Sequence, residues 1–112
     1  MKFEVTKNTE HTIIKLRERK LDVSVSPELK GEFILLCRPT LKSLVVDLTD
    51  VEFCDSSGLS ALLIAERQMR GHGGKVSLVG VHKKVMALLK ISQLDRVFQI
   101  FENIAKATKE QV

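Results

Sequence analysis

Five residues near the middle of the chain constrain the fold most. Leu44-Val45-Val46-Asp47-Leu48 is short, apolar and rich in β-branched side chains, and polar residues bound it. A run of this length and composition reads as a central strand with both faces covered. The text on either side supplies what such a strand needs. Phe3 and Val5, then Thr12 to Leu16, read as two short strands, with Asn8-Thr9-Glu10 as the turn of a hairpin. Past Asp22 the period changes. Ser26 is the expected N-cap of a first helix, Pro27 its first residue, and Glu28 suits the positive end of the helix dipole. Leu29, Phe33, Leu36 and Cys37 fall on one face of that helix, and Pro39 closes it.

After the central strand (Lys42 to Asp50 at its widest), Leu59, Leu62, Leu63 and Met69 recur at helical spacing. They predict a second helix over Ser57 to Arg70, ended by Gly71, Gly73 and Gly74, where a glycine takes the left-handed conformation. Lys75 to Val79 reads as a strand and His82 to Lys90 as a third helix with Val85, Leu88 and Leu89 on one face. Val97 to Phe101 and Glu102 to Lys109 read as a last strand and helix. The order is β-β-α-β-α-β-α-β-α: an α/β fold with a mixed sheet, largely parallel, carrying the N-terminal hairpin as an antiparallel edge. At 112 residues this is one domain, residues 1–112, large enough to fold without a disulfide or metal staple.

Composition narrows the function. Tyr and Trp are absent and there are five Phe, which argues against modules that stack bases on exposed rings. Two cysteines make neither a disulfide framework nor a four-ligand zinc site, so no metal or cofactor is expected. No signal-peptide pattern and no membrane-length apolar run appear, so a cytoplasmic protein without membrane insertion is expected. The net charge of +4 is uneven: residues 1–56 carry −1 and residues 57–112 carry +5. The basic half reads as a solvated face, or as an attraction for an acidic partner or anion.

The chemistry-bearing stretch is Val51-Glu52-Phe53-Cys54-Asp55-Ser56-Ser57-Gly58-Leu59. It lies where the central strand hands over to a helix, the carboxyl end of the sheet, where ligand and reactive groups collect in open α/β folds. One reading is purely structural: Asp or Ser caps the helix and Gly lets the turn close. The other is that one serine accepts a phosphoryl group, which the helix N-terminus favours and Asp55 opposes.

Phe53-Cys54-Asp55-Ser56-Ser57-Gly58-Leu59, after Val45-Val46-Asp47-Leu48, resembles the signature of STAS domains, specifically the anti-sigma-factor antagonists. Leu21-Asp22, Gly73-Gly74 and Ile91-Ser92-Gln93-Leu94-Asp95-Arg96-Val97-Phe98 follow the same pattern, so the resemblance spans nearly the whole chain. It implies a non-catalytic partner switch. Ser57 would be the phosphorylated residue; Asp22, Asp55, Ser56, Ser57, Gly58 and Leu59 would form the partner surface, with Leu59 shared between surface and core. The partners implied are a serine kinase that is also the anti-sigma factor, bound by the unphosphorylated form, and a PP2C-type phosphatase. The resemblance also extends to STAS subunits of lipid-transport ATPase complexes. Arg19 and Gln93 stand where the family often has glycine, which bears on partner identity more than on fold.

Other chemistries fit less well. A serine hydrolase needs Gly-x-Ser-x-Gly and a tied histidine; the motif is absent and His11, His72 and His82 are scattered. Cys54 precedes a helix start, where a thiolate can be stabilised, but it reads first as a buried strand-end cysteine; Cys37 reads as core. Gly71-His72-Gly73-Gly74 ends a helix, whereas a phosphate cradle opens one. His72 reads as a solvent-facing loop residue and His82 as an exposed one. No nucleic-acid recognition motif accompanies the basic half.

Overall fold

The computed structural model describes residues 1–8 and 10–110. Five strands form the main sheet: β1 (Phe3–Lys7), β2 (His11–Leu16), and, further along, Ser43–Asp47, Lys75–Val79 and Gln99–Phe101. A separate two-stranded ribbon pairs β3 (Lys20–Leu21) with β5 (Phe53–Cys54). With the strand Ser43–Asp47 as β4, Lys75–Val79 as β6 and Gln99–Phe101 as β7, the main sheet runs β1-β2-β4-β6-β7. The β1–β2 pair is antiparallel and every other pairing is parallel, as the alternation of elements required. The helices are α1 (Ser26–Leu36), α2 (Ser56–Arg70), α3 (Lys83–Ile91) and α4 (Ile104–Glu110).

β4 is buried at every position, between β2 and β6. Its alternating side chains feed two cores. Leu44 and Val46 join Ile14, Leu16 and Leu78 under Leu29 and Phe33 of α1, Leu62 and Met69 of α2, and Val85 and Leu89 of α3. Val45 and Val79 face the other way, against Ala107 of α4, with Ile13, Phe101 and Ile104 at the margin. This double burial is why the segment shows no alternation of polar residues.

Several sequence expectations shift. α1 begins at Ser26 itself, with Val25 in the capping position and no side-chain cap. The carbonyl of Asp22 accepts from Val25 N and Ser26 N at 3.0 and 2.9 Å, so the preceding turn organises the start instead. At the end of α2, Gly71 stays right-handed and Gly73 takes φ +81°. The turn lets Gly74 N reach the Met69 carbonyl at 2.7 Å. The last strand begins at Gln99, because Leu94–Arg96 is a 3₁₀ turn and Val97 is exposed. That turn starts from Gln93 at φ +62°, the left-handed region where glycine is at ease. Of the turn Asn8-Thr9-Glu10, Thr9 lies outside the described residues; Asn8 Oδ1 accepts from Glu10 N and His11 N at 3.0 and 2.7 Å.

Candidate functional site

The site is assembled by the β3–β5 ribbon, which was not apparent in the sequence. After β4 the chain turns at Asp47, whose Oδ1 accepts from the amide and hydroxyl of Thr49 at 2.9 and 2.5 Å. It then runs alongside the segment preceding α1. Glu52 N and Phe53 N donate to the Arg19 carbonyl at 2.8 and 3.1 Å, and Asp55 N donates to the Leu21 carbonyl at 3.1 Å. Leu21 and Cys54 are register partners and point inward, both buried; Lys20 and Phe53 are partners on the outer side. Two segments more than thirty positions apart are thereby zipped together, which places Asp22 next to the start of α2.

Asp55 caps α2. Its Oδ1 accepts from Ser57 N at 2.9 Å, Gly58 N at 3.1 Å and the Ser57 hydroxyl at 2.5 Å. These bonds hold the carboxyl below its ordinary value, the Ser57 hydroxyl contributing most and the Gly58 amide next. The structural reading of the Asp-Ser-Ser-Gly stretch is therefore correct for Asp55. Asp22 repeats the geometry, next in sequence to the Leu21 carbonyl that Asp55 N meets: its Oδ1 accepts from Ser24 N at 3.0 Å and Ser24 Oγ at 2.6 Å. Asp22-Val23-Ser24, Asp47-Leu48-Thr49 and Asp55-Ser56-Ser57 thus form three like turns. The Asp-x-Ser/Thr spacing was legible and identifies each carboxylate as a turn former.

Of the remaining residues, Ser56 is exposed and Ser57 is half-buried. Gly58 is required for close approach, not for an unusual backbone angle. A Cβ there would lie 2.5 Å from the Leu21 carbonyl oxygen and 2.7 Å from Cys54 Sγ. Leu59 corrects an expectation: it is 7% exposed and belongs to the core, because the first turn of α2 is pulled down onto β3. Besides Val23 in the Asp22 turn, 73% exposed, the exposed apolar group at the site is Phe53, at 46%. Sequence reasoning passed it over, although the out–in alternation of Phe53 and Cys54 carries the signal.

Cys54 is a buried thiol pushed up to about 12, by burial first and Asp55 second, the opposite of an activated nucleophile. Burial likewise raises Cys37 to about 11. The histidines are held apart from Ser57. His11 is buried with Nδ1 2.8 Å from Ser43 Oγ, and exposed His82 has Nε2 2.5 Å from the Thr49 carbonyl oxygen. His72 is half-buried, not a free loop residue, because its Nε2 meets the Leu41 carbonyl oxygen at 2.7 Å. Among the described residues no cluster of three or more His, Cys, Asp or Glu could hold a metal ion. No helix there is long and apolar enough to cross a membrane. A wider groove of about 780 Å³ lies at the Arg17 and Arg19 end of the sheet, but its charges neutralise one another. Arg17 pairs with Glu4 and Asp50, and Arg19 with Glu52.

Known proteins share this fold. A Thermotoga maritima protein named for anti-sigma factor antagonism is 33% identical over 63 residues, 56% of this chain and 56% of its own. The chain thus aligns with little more than half the length of that relative. The anti-sigma F factor antagonist of Paenibacillus polymyxa is 30% identical over 73 residues, covering 65% of this chain and 62% of that protein. The Bacillus cell fate determinant SpoIIAA, solved in its phosphorylated form, superposes with a TM-score of 0.76 at 16% identity, over 99% of this chain and 100% of that one. The STAS domain family matches residues 2–107, and with the mixed sheet, the ribbon and the capped α2 in place, the chain belongs to that family.

Proposed function

We propose that this chain is an anti-sigma factor antagonist that switches partners through one phosphate on Ser57. Unphosphorylated, it binds an anti-sigma factor that is also a serine kinase; phosphorylated, it is released, and a PP2C-type phosphatase resets it. It works as a binding protein in the cytoplasm. Asp22, Asp55, Ser56, Ser57 and Gly58 frame the contact, and the names of its relatives support the role.

The observation that carries this reading is the position of Ser57. Its hydroxyl lies in the first turn of α2, within 2.5 Å of an ionised carboxylate and beside a second Asp-capped turn. A phosphate there adds about −1.5 to −2 charges and three acceptor oxygens. The helix dipole tolerates that charge, but Asp55 must give up its bond to the hydroxyl and stand next to a dianion. A partner seated over a neutral hydroxyl then meets concentrated negative charge that it must desolvate, which favours release.

The test is incubation with the kinase and ATP, read by intact mass and peptide mapping. One phosphate on Ser57 is expected. Ser56→Ala is modified like wild type and Ser57→Ala is not. Equal modification of Ser57→Ala overturns the assignment.

A further inference from the structure

We propose that the cleft between the β3–β5 ribbon and α3 is a docking site for an acidic segment of a protein partner carrying one large apolar side chain. This rests on the reading of the Ser57 face as protein-binding and names the chemistry of what it binds. The cleft has a volume of about 280 Å³ and is lined by Arg19, Lys20, Glu52, Phe53 and Lys84. That is below the roughly 300–1,000 Å³ of small-molecule pockets, and suits a single side chain.

The charges around it are unequal in kind. Arg19 is neutralised by Glu52 at 2.8 Å. Lys20 and Lys84 are exposed and have no ion-pair or hydrogen-bond partner among the described residues. The nearby carboxylates of Asp22 and Asp55 are turned inward onto their own turns. Phe53, 46% exposed and the register partner of Lys20, is the one aromatic residue of the lining. An exposed aromatic ring and two unpaired ammonium groups lining one cleft are complementary to an apolar side chain flanked by carboxylates. Phe53 also lies two residues before Asp55, the cap of α2, so the strand that lines the cleft leads directly into the Ser57 turn. A phosphate on Ser57 lowers the positive potential on which the acidic segment depends, so docking and switching are coupled.

The probe is a synthetic peptide, Asp-Glu-Leu-Phe-Glu-Asp, titrated into the isotopically labelled chain and followed by amide chemical shifts. Shifts confined to the backbone around Lys20, Phe53 and Lys84, weakening with added salt, are expected. Lys84→Glu, on an exposed helix position that leaves the fold intact, should lower affinity about fivefold or more, and Phe53→Ser likewise. Three results overturn the proposal: shifts spread elsewhere, equal affinity for the same peptide with lysines in place of its acids, or binding to anionic lipid vesicles without peptide binding. Phosphoserine encoded at position 57 should bind the peptide several-fold more weakly. Peptide binding that ignores the phosphate leaves the docking site standing and refutes its coupling to Ser57, whereas the kinase test decides the switch itself, so the two readings fail separately.

Discussion

Replacing Gly58 with Ala tests whether α2 is seated directly on the ribbon. The added Cβ would lie 2.5 Å from the Leu21 carbonyl oxygen, 2.7 Å from Cys54 Sγ and 2.8 Å from Leu21 Cβ. Ordinary contacts are 3.4–4 Å, so β3 or the start of α2 must move by roughly 0.6–0.9 Å. Two of those three atoms belong to one residue in a two-residue strand, and one is backbone, so no side-chain rotation relieves the contact. Overpacking of this kind costs about 1–3 kcal/mol. Alanine returns about 0.5–1 kcal/mol of helix propensity. The net destabilisation is centred on about 1.3 kcal/mol and reaches up to about 2.5 kcal/mol, or roughly 5–10 °C in Tm for a domain of this size. Gly31, on α1, is the control: nothing lies within 4 Å of a Cβ built there. Gly31→Ala should therefore gain about 0.5–1 kcal/mol, the same substitution with the opposite sign. Thermal melts and urea titrations followed by circular dichroism measure both. A Gly58→Ala melting point at or above that of wild type refutes the close approach, and with it the account of how Asp22 reaches the α2 start.

Other outcomes follow from the same geometry. Because Asp55 is held below its ordinary carboxyl value, its cap stabilises the fold above the unfolded-state value of 3.8 and is lost as pH falls through the lower folded value. Asp55→Asn should flatten that part of the acid limb in a stability–pH series; an unchanged limb refutes the cap as its source. Cys54 and Cys37, raised to about 12 and 11, should resist iodoacetamide at pH 8 and react on addition of denaturant. Fast native alkylation of Cys54 would revive a redox role. Leu62 is fully buried between α1 and the sheet, and Leu62→Ala should cost about 2–5 kcal/mol in urea unfolding. Gln93 sits at φ +62°, so Gln93→Gly should be neutral or stabilising by up to about 1 kcal/mol, whereas β-branched Gln93→Val should destabilise.

The legible part of this protein was whatever a single segment could settle by itself. The unbroken run Leu44 to Leu48 declared a strand covered on both faces, and Leu59, Leu62 and Met69 declared the buried side of α2. A helix cap in the Asp55-Ser56-Ser57 stretch was readable too, and the structure assigns it to Asp55. Local periodicity and capping depend on neighbours in sequence, so they can be read there. Tertiary contacts decided the rest. The pairing of Leu21 with Cys54 involves strands of two residues, too short for any periodic signal. That pairing places Asp22 beside Asp55, buries Leu59, leaves no free room for a Cβ at Gly58 and turns Phe53 outward toward Lys20 and Lys84. Each of these depends on a distance between residues remote in sequence, which only the closed sheet and the helices packed on it determine.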